Sequence, residues 1–531
     1  MCYAQRMDLD PQKLTDDPVQ LKQIIALLTA DRQRDRERIS YLEEYVRLLK
    51  NEIFGRKSEK HVLFDDKQRL LFYDENTEPP ADENPLPEPV AVPAHSRKKP
   101  GRKPLPANLP RVDVIHDIDE SEKTCQCGCR LNRIGQDTCE KLDYVPAVFR
   151  VERHIRYKYA CPACEGVDSD GPTVTIAPAP EQLIPKSIAT AGLLAHILVS
   201  KFEDALPFYR QEKIFTRLGV ELSRATMCGW AIRIWELTAP LIELLCAEVR
   251  SGPVVNIDET TVQVLKEPGR PNTSKSYMWV FRGGDPQHPA LVYQYHPTRS
   301  GQVPMAFLDG YRGFVQTDGY KGYEALDLQS GIDLVGCWVH ARRYFVKVVK
   351  AKGNPKRTGS AEEALEFIGR LYAVEKQARE KELSPEQIYA LRQDKAKTVL
   401  EEFKAWLDER SVTTPPKGLL GKAIGYTLKN WKYLARYLDD GHLRPDNNLV
   451  ENAIRPFVVG RKNWLFSGHP KGAEASAAMY SLIESAKANG LNPYYYLRYL
   501  FDRLFSAKTE QDLKNLLPHQ VVPTTINPTQ N

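Results

Sequence analysis

Three stretches decide the fold: PVVNIDET (253–260), GFVQTDGY (313–320) and DNNLVENAIRPFVVGRKNWLFSG (446–468). The first two are short apolar runs that close on Asp258 and Asp318. Runs of this length bounded by turn residues read as buried strands. The third opens with Asp446, Asn447 and Asn448, which can start a helix carrying Glu451. Pro456 marks that helix's later part or end, and Arg455 lies at i+4 from Glu451, on the same face. Between the first two stretches, YMWVFRG (277–283) and ALVYQYH (290–296) read as strands joined by a Gly-Gly-Asp-Pro turn region. A short helix is expected around Pro304 to Leu308 and another over Lys321 to Leu328. DLVGCWVHARRYF (333–345) reads as a strand running into a helix. This order suits an RNase H-like mixed sheet in which the first and fourth strands lie side by side.

That pairing would bring Asp258 and Asp318 to the ends of adjacent strands, where bare carboxylates repel. A divalent cation relieves the repulsion, and oxygen-only ligands select Mg²⁺ or Mn²⁺. Two such ions about 4 Å apart can hold the attacking and leaving oxygens of an in-line phosphoryl transfer. Glu451 would add a third carboxylate from its helix. Each piece alone is weak: an aspartate at a strand end is more often a turn former, and a lone helix glutamate can serve as a cap or salt-bridge partner. Their combination in this order is the stronger signal. Arg461 and Lys462, with Trp464 beside them, form a cationic and aromatic stretch suited to a DNA backbone or a flipped base.

Outward from the core (251–345 and 440–470), the gap from Asp318 to Glu451 exceeds what a compact core needs. Residues 346–439 read as a helical insertion with mostly solvated charged faces. Residues 185–250 are helical; Leu218-Gly219-Val220 ends one helix and Ser223 can cap the next, a helix-turn-helix pattern shared with plain helical hairpins. In 120–166, Cys125, Cys127 and Cys129 precede Cys161 and Cys164, and a tetrahedral zinc needs two such knuckles. Cys125 and Cys127 are favoured for the first knuckle, with Cys129 open as an alternative. The stretch between alternates like a β-hairpin (Val145 to Tyr159), which makes a zinc ribbon. Residues 95–112 carry Lys98, Lys99, Arg102 and Lys103 among Pro and Gly, an extended basic arm for a DNA groove. Residues 74–94 are an acidic, Pro-rich linker. Residues 17–56 repeat Leu21, Ile25, Leu28, Ile39, Leu42, Val46, Leu49 and Ile53 at steps of four and three. This is a coiled-coil seam, interrupted by Arg32 and Asp35, with one amphipathic helix packed on its own domain as the alternative. A small helical region follows at 471–510.

The chain has 531 residues, 42% of them hydrophobic, so a multidomain α+β protein with packed cores is expected. A net charge of +5 permits a nucleic-acid partner without demanding one. No 18-residue apolar run and no apolar N-terminal region point to a membrane or to export. A cytoplasmic protein with reduced thiols is the expectation.

These stretches resemble the DDE transposases of the insertion sequence 66 family. IFGRKSEK (53–60), KKPGRKPLPANLPR (98–111), the two cysteine knuckles and KFEDALPFYRQE (201–212) carry the likeness, with VNIDET, VQTDGY, GCWVHARRYF, the 446–468 stretch and SLIESAKANGLNPYYYLRYL (481–500). It runs over roughly residues 40 to 508. The resemblance implies a bacterial, nucleoid-associated enzyme that binds terminal inverted repeats and target DNA. Such an enzyme would cleave and transfer strands with two Mg²⁺ or Mn²⁺ ions on Asp258, Asp318 and Glu451, alongside a structural Zn²⁺. Two ends must be synapsed, so a homo-oligomer, at least a dimer, is expected, with accessory proteins of the same element as further partners. Trp338 and His340 match a recurring position, for which a core Trp and a satisfied His are the simple reading. Two other functions compete: a repressor or end-binding subunit with an inactive RNase H-like domain, and a nuclease that cuts branched DNA without joining it.

Overall fold

The computed structural model describes residues 17–54, 149–160, 174–178, 180–352 and 358–526. The linker 74–94, the basic arm 95–112 with Lys98, Lys99, Arg102 and Lys103, and Cys125, Cys127, Cys129, Cys161 and Cys164 lie outside them. The chain divides into two units, residues 1–77 with 182–527, and 78–181 with 528–531.

In the smaller unit, β1 (Lys158–Ala160) pairs antiparallel with β2 (Val174–Ile176). The hairpin expected over 145–159 is therefore corrected: its described residues before Lys158 form no strand. Val151 is 96% exposed and Ile155 65%, so alternation there buries no face that would hold a ladder.

In the larger unit, α1 (Pro18–Phe54) is a single 37-residue helix. The expected seam residues Ile25, Leu28, Ile39, Leu42, Val46 and Leu49 are all exposed. A different face docks on the unit: Leu48 is buried, Arg47 Nε donates to the Ala351 carbonyl at 3.0 Å, and Lys422 Nζ donates to Tyr41 Oη at 3.1 Å. Helices α2 (Ala191–Phe202), α3 (Phe208–Arg217) and α4 (Arg224–Ser251) follow. Ser223 caps α4 as anticipated, its Oγ accepting from Thr226 N at 3.2 Å.

Five strands build the sheet: β3 (Val254–Gln263), β4 (Lys275–Asp285), β5 (His288–His296), β6 (Gly313–Gln316) and β7 (Ile332–Val335). Their order is β5-β4-β3-β6-β7, with β3, β4 and β5 antiparallel and β6 and β7 parallel to β3. The first and fourth strands of the sheet therefore do pair, Val255 opposite Val315 and Asn256 opposite Gln316. Three details differ from the sequence reading. Asp258 lies inside β3 opposite Val280, because the β4 ladder holds β3 out to Gln263. Asp318 lies two residues past β6, where pairing has ended and Gly319 turns the chain at φ +80°. Gly283 and Gly284 belong to β4, and pairing continues to Asp285 opposite His288. A side chain on Gly283 would stand 2.2 Å from the Val249 carbonyl of α4. These glycines therefore permit close helix–sheet approach; they do not make the turn.

The short helix α5 (Gln302–Phe307) and a 3₁₀ segment (Lys321–Leu328) flank β6, and α6 (Trp338–Lys350) follows β7. Between α6 and the return to the sheet the described residues are helical: α7 (Ser360–Glu380), α8 (Pro385–Leu391), a π-helical turn (Arg392–Ala396), α9 (Lys397–Thr413), α10 (Leu419–Lys429) and α11 (Trp431–Ala435). This stretch has its own core around fully buried Trp338, whose Nε1 donates to the Leu434 carbonyl at 2.9 Å. The reading of Trp338 as a core residue is met.

The chain then returns to the sheet as α12 (Asn448–Trp464), which continues through Pro456, so that proline does not end the helix. Beyond it, α13 (Pro470–Ala488) and α14 (Pro493–Arg503) complete the unit, with two short helices after them. Strand β5 is a sheet edge, and unpaired edges invite aggregation. Two serines of α13 replace the missing strand. Leu291 N donates to Ser485 Oγ at 2.9 Å, and Tyr293 N donates to Ser481 Oγ at 2.8 Å. Ser485 Oγ also donates to the Leu291 carbonyl at 3.0 Å. Replacing Ser485 with Val strands both Leu291 groups in a dry contact, and should cost about 1–3 kcal/mol in urea unfolding. An unchanged midpoint would mean that water reaches this edge.

Candidate active site

Asp258 and Asn256 share one face of β3, since side chains alternate along a strand. Helix α12 lies against that face, pinned at both ends. Asn447 Nδ2 donates to the Ile257 carbonyl at 3.0 Å, and Arg461 Nη1 donates to Thr260 Oγ1 at 3.2 Å and Thr261 Oγ1 at 3.1 Å. Glu451 thus sits in the first turn of α12, where the positive end of the helix dipole favours a carboxylate.

Asp258 feels both other acids. Burial pushes its carboxyl up to about 8, reinforced by the charges of Glu259, Asp318 and Glu451, and opposed by the Glu259 amide donating at 2.9 Å. Asp318 holds its own turn, with Tyr320 N donating to Oδ1 at 2.9 Å. The charges of Asp318, past the end of β6, and of Glu451, at the start of α12, thus both reach Asp258 in β3.

Two neighbours were given no role by the sequence reading. Glu259, on the opposite face of β3 from Asp258, is a fourth carboxylate, and its side chain is only 1% exposed. It is matched by the Arg299 guanidinium and the Tyr323 hydroxyl, both bonded to it. Burial raises its carboxyl, and Tyr323 and Arg299 oppose the rise. Arg299 in turn lies 3.7 Å over the Tyr320 ring. His340 is the second. It was expected to be satisfied, and it is not: His340 Nδ1 and Glu451 Oε1 are both buried, 3.8 Å apart, and neither makes a hydrogen bond. Arg343 bridges their outer edges, donating from Nη2 to Glu451 Oε2 and from Nη1 to His340 Nε2, each at 3.3 Å. Burial lowers the His340 pKa, so neutral imidazole is favoured. Its match to a recurring position marks His340 without giving it a role; the strand-to-helix step after β7 aims it at Glu451.

Cys337 Sγ lies with His340 and Glu451 in a group whose ligand atoms fall within 4.8 Å of one another. Burial pushes its thiol up to about 12, and the sulfur accepts the Asn447 N–H at 3.3 Å. A protonated thiol engaged in that bond is a poor ligand for a hard cation, so the oxygen donors define the site. Of the predicted DNA-contacting residues on α12, Arg455 and Lys462 are exposed, whereas Arg461 is half-buried on the β3 threonines.

Four family models match the chain. The model described as Transposase IS66 family covers residues 186–475, and the zinc-finger binding domain of transposase IS66 covers 122–165. The IS66 C-terminal element covers 481–519, and the model described as Transposase C of IS166 homeodomain covers 41–114. Among similar proteins is the uncharacterized protein y4jD of Sinorhizobium fredii, 36% identical over 528 residues, spanning 96% of this chain and 98% of that one. The uncharacterized protein y4qI of the same organism is 31% identical over 522 residues, spanning 94% of this chain and 93% of the relative. No helix among the described residues is long and apolar enough to cross a membrane. With its main family model spanning more than half of its length and y4jD matching it almost from end to end, the chain belongs to the IS66 family of transposases.

Proposed function

We propose that this transposase binds the terminal inverted repeats of an insertion sequence and cleaves and transfers DNA strands at a divalent-cation site built from Asp258, Asp318 and Glu451. One observation carries the reading: burial disfavours the charged form of Asp258, and the charges of Asp318 and Glu451, from distant segments, bear on it as well. A cation is the ordinary remedy for such a cluster. The residues fit it, since Glu451 Oε1 is buried with no donor to satisfy it. When bound, two Mg²⁺ or Mn²⁺ ions would supply the Lewis-acid charge that activates a hydroxyl and steadies the leaving oxygen.

The chain's own groups do the rest. Glu259 is bonded to Arg299 and Tyr323, so it holds Arg299 near the site. Arg343 is half-exposed and swings away from Glu451 to meet a phosphate, its guanidinium being suited to that oxyanion. Exposed Arg455 and Lys462 on α12 take further phosphates, with Lys98, Lys99, Arg102 and Lys103 of the basic arm tracking the groove. The sheet order supports an RNase H-like core at 251–345 and 440–470. A zinc ribbon holds its ion on Cys125, Cys127, Cys161 and Cys164, with Cys129 as the alternative in the first pair. The exposed α1 seam pairs with a second copy, giving the dimer that joining two DNA ends requires.

The test is a labelled terminal repeat incubated with the full-length protein and Mg²⁺. Specific 3′-end cleavage is expected, lost in Asp318→Ala while repeat binding persists. Binding without cleavage by the unmodified protein, in Mg²⁺ and in Mn²⁺, would favour an end-binding subunit and overturn the reading. Zinc near one ion per chain, falling in Cys161→Ser, checks the ribbon.

A further inference from the structure

Beneath the acids lies a buried cluster of three side-chain amides: Asn256, Gln316 and Asn447, which are 3%, 1% and 0% exposed. Asn256 Nδ2 donates to Gln316 Oε1 at 3.0 Å and also lies 3.0 Å from Asn447 Oδ1, so one amide bridges the other two. Asn447 Nδ2 continues to the Ile257 carbonyl at 3.0 Å. Gln316 Nε2 donates to the Arg444 carbonyl at 2.6 Å. The network is thus anchored to the backbone on both sides, and most of its donors and acceptors are matched within the cluster. A buried polar group is tolerated when it is matched in this way, and a matched network specifies one geometry.

The placement of the three amides repeats. Asn256 precedes Asp258 by two residues on the same strand face, and Gln316 precedes Asp318 by two. Asn447 is the residue that caps α12, and its carbonyl accepts the Glu451 N–H at 3.2 Å. Each acid is therefore one short, stiff step of backbone from one amide. Hydrophobic side chains would pack these positions without fixing register. Carboxylates would add to the repulsion above them, and lysines would pair with the acids and neutralise them. Neutral amides supply direction without charge.

We infer that Asn256, Gln316 and Asn447 are positioning residues: their hydrogen-bonded triangle sets the spacing of Asp258, Asp318 and Glu451 against mutual repulsion and so presets the cation site. This rests on the reading of those acids as the cation ligands. Groups one layer behind metal ligands typically change metal affinity 10- to 100-fold when removed.

The experiment titrates Mn²⁺ into the full-length protein and counts free ion by electron paramagnetic resonance. Two amide variants are used, Asn447→Ala and Gln316→Met, the latter keeping volume while removing the amide's hydrogen bonds. Gln211→Met is the control, because Gln211 is an equally buried amide, bonded to the Ile197 and Leu206 carbonyls, far along the chain from any of the acids. The expected result is Mn²⁺ affinity weakened about tenfold or more in both amide variants, unchanged in Gln211→Met, with terminal-repeat binding intact. Asp258→Asn separates the two ideas. If it abolishes Mn²⁺ binding while the amide variants bind normally, the positioning role is overturned and the acid site stands. If Asp258→Asn leaves Mn²⁺ binding untouched, the acid site falls and the positioning role falls with it. Equal weakening in Gln211→Met would mean that general loosening explains the effect, which also overturns the inference.

Discussion

Asp258→Asn should lose strand cleavage by about 10³-fold or more, yet melt at a higher temperature than the unmodified protein when metal is absent. The activity loss follows from removing a ligand whose charge stabilisation is worth several kcal/mol, at 1.4 kcal/mol per tenfold. The stability gain follows from burial and the neighbouring acids, which push this carboxyl up to about 8 in the folded chain, against about 3.9 unfolded. A carboxyl raised in this way lends stability that is complete below the unfolded value and lost as pH rises through the folded one. Asparagine does not titrate. The melting advantage of Asp258→Asn in EDTA should therefore be absent near pH 4, widen toward pH 8 and stay level above it. The same proton must leave before a cation binds, so Mn²⁺ affinity of the unmodified protein should climb between pH 6.5 and 8.5. Flat affinity across that window, or an Asp258→Asn that melts lower at every pH, would mean that the acids do not crowd one another.

How far the sequence carried this architecture depends on what each signal measures. Apolar runs ending in polar residues located β3 and β6 well, and the alternation of strands and helices implied that they would be neighbours. Strand ends were misjudged because they depend on the partner: β3 is extended by the β4 ladder past Asp258, and β6 is released before Asp318. Composition cannot see that. In α1 the heptad spacing revealed an apolar seam, but not that the Tyr41, Arg47 and Leu48 side would dock on the insertion and leave the seam outward. Asn447 read as a helix starter and proved also to be a buried bridge to β3, a role visible only once α12 lies on the sheet. The roles of His340 and Glu259 were not legible for a related reason: their chemistry comes from what faces them, Glu451 in one case and Arg299 with Tyr323 in the other. The insertion shows the same limit. Its charged residues were expected to be solvated, and most are, but Arg392 is 1% exposed.

That arginine leads to the second large effect: Arg392→Ala should cost about 3–5 kcal/mol, the penalty for breaking a buried pair and leaving its partner charge uncompensated. Arg392 Nε and Nη2 donate to the two Glu375 oxygens at 2.8 and 2.7 Å, a bidentate fork. Nη1 donates to the Tyr437 and Asp440 carbonyls at 2.9 Å each, and Nη2 also reaches the Leu443 carbonyl at 2.7 Å. One side chain thus ties α7 to the segment 437–443, which delivers the chain to Asn447 and Glu451. A loss of that size is a large share of the 5–15 kcal/mol that typically separates folded from unfolded, and urea unfolding would read it directly. Lysine cannot present the planar fork, so Arg392→Lys should recover little. Removing the abandoned carboxylate should recover more: Arg392→Ala with Glu375→Ala ought to be less destabilised than the two single losses summed, since the stranded charge is gone. If Arg392→Ala unfolds within 1 kcal/mol of the unmodified protein, the segment before α12 is held by its apolar contacts alone, and the guanidinium is a passenger.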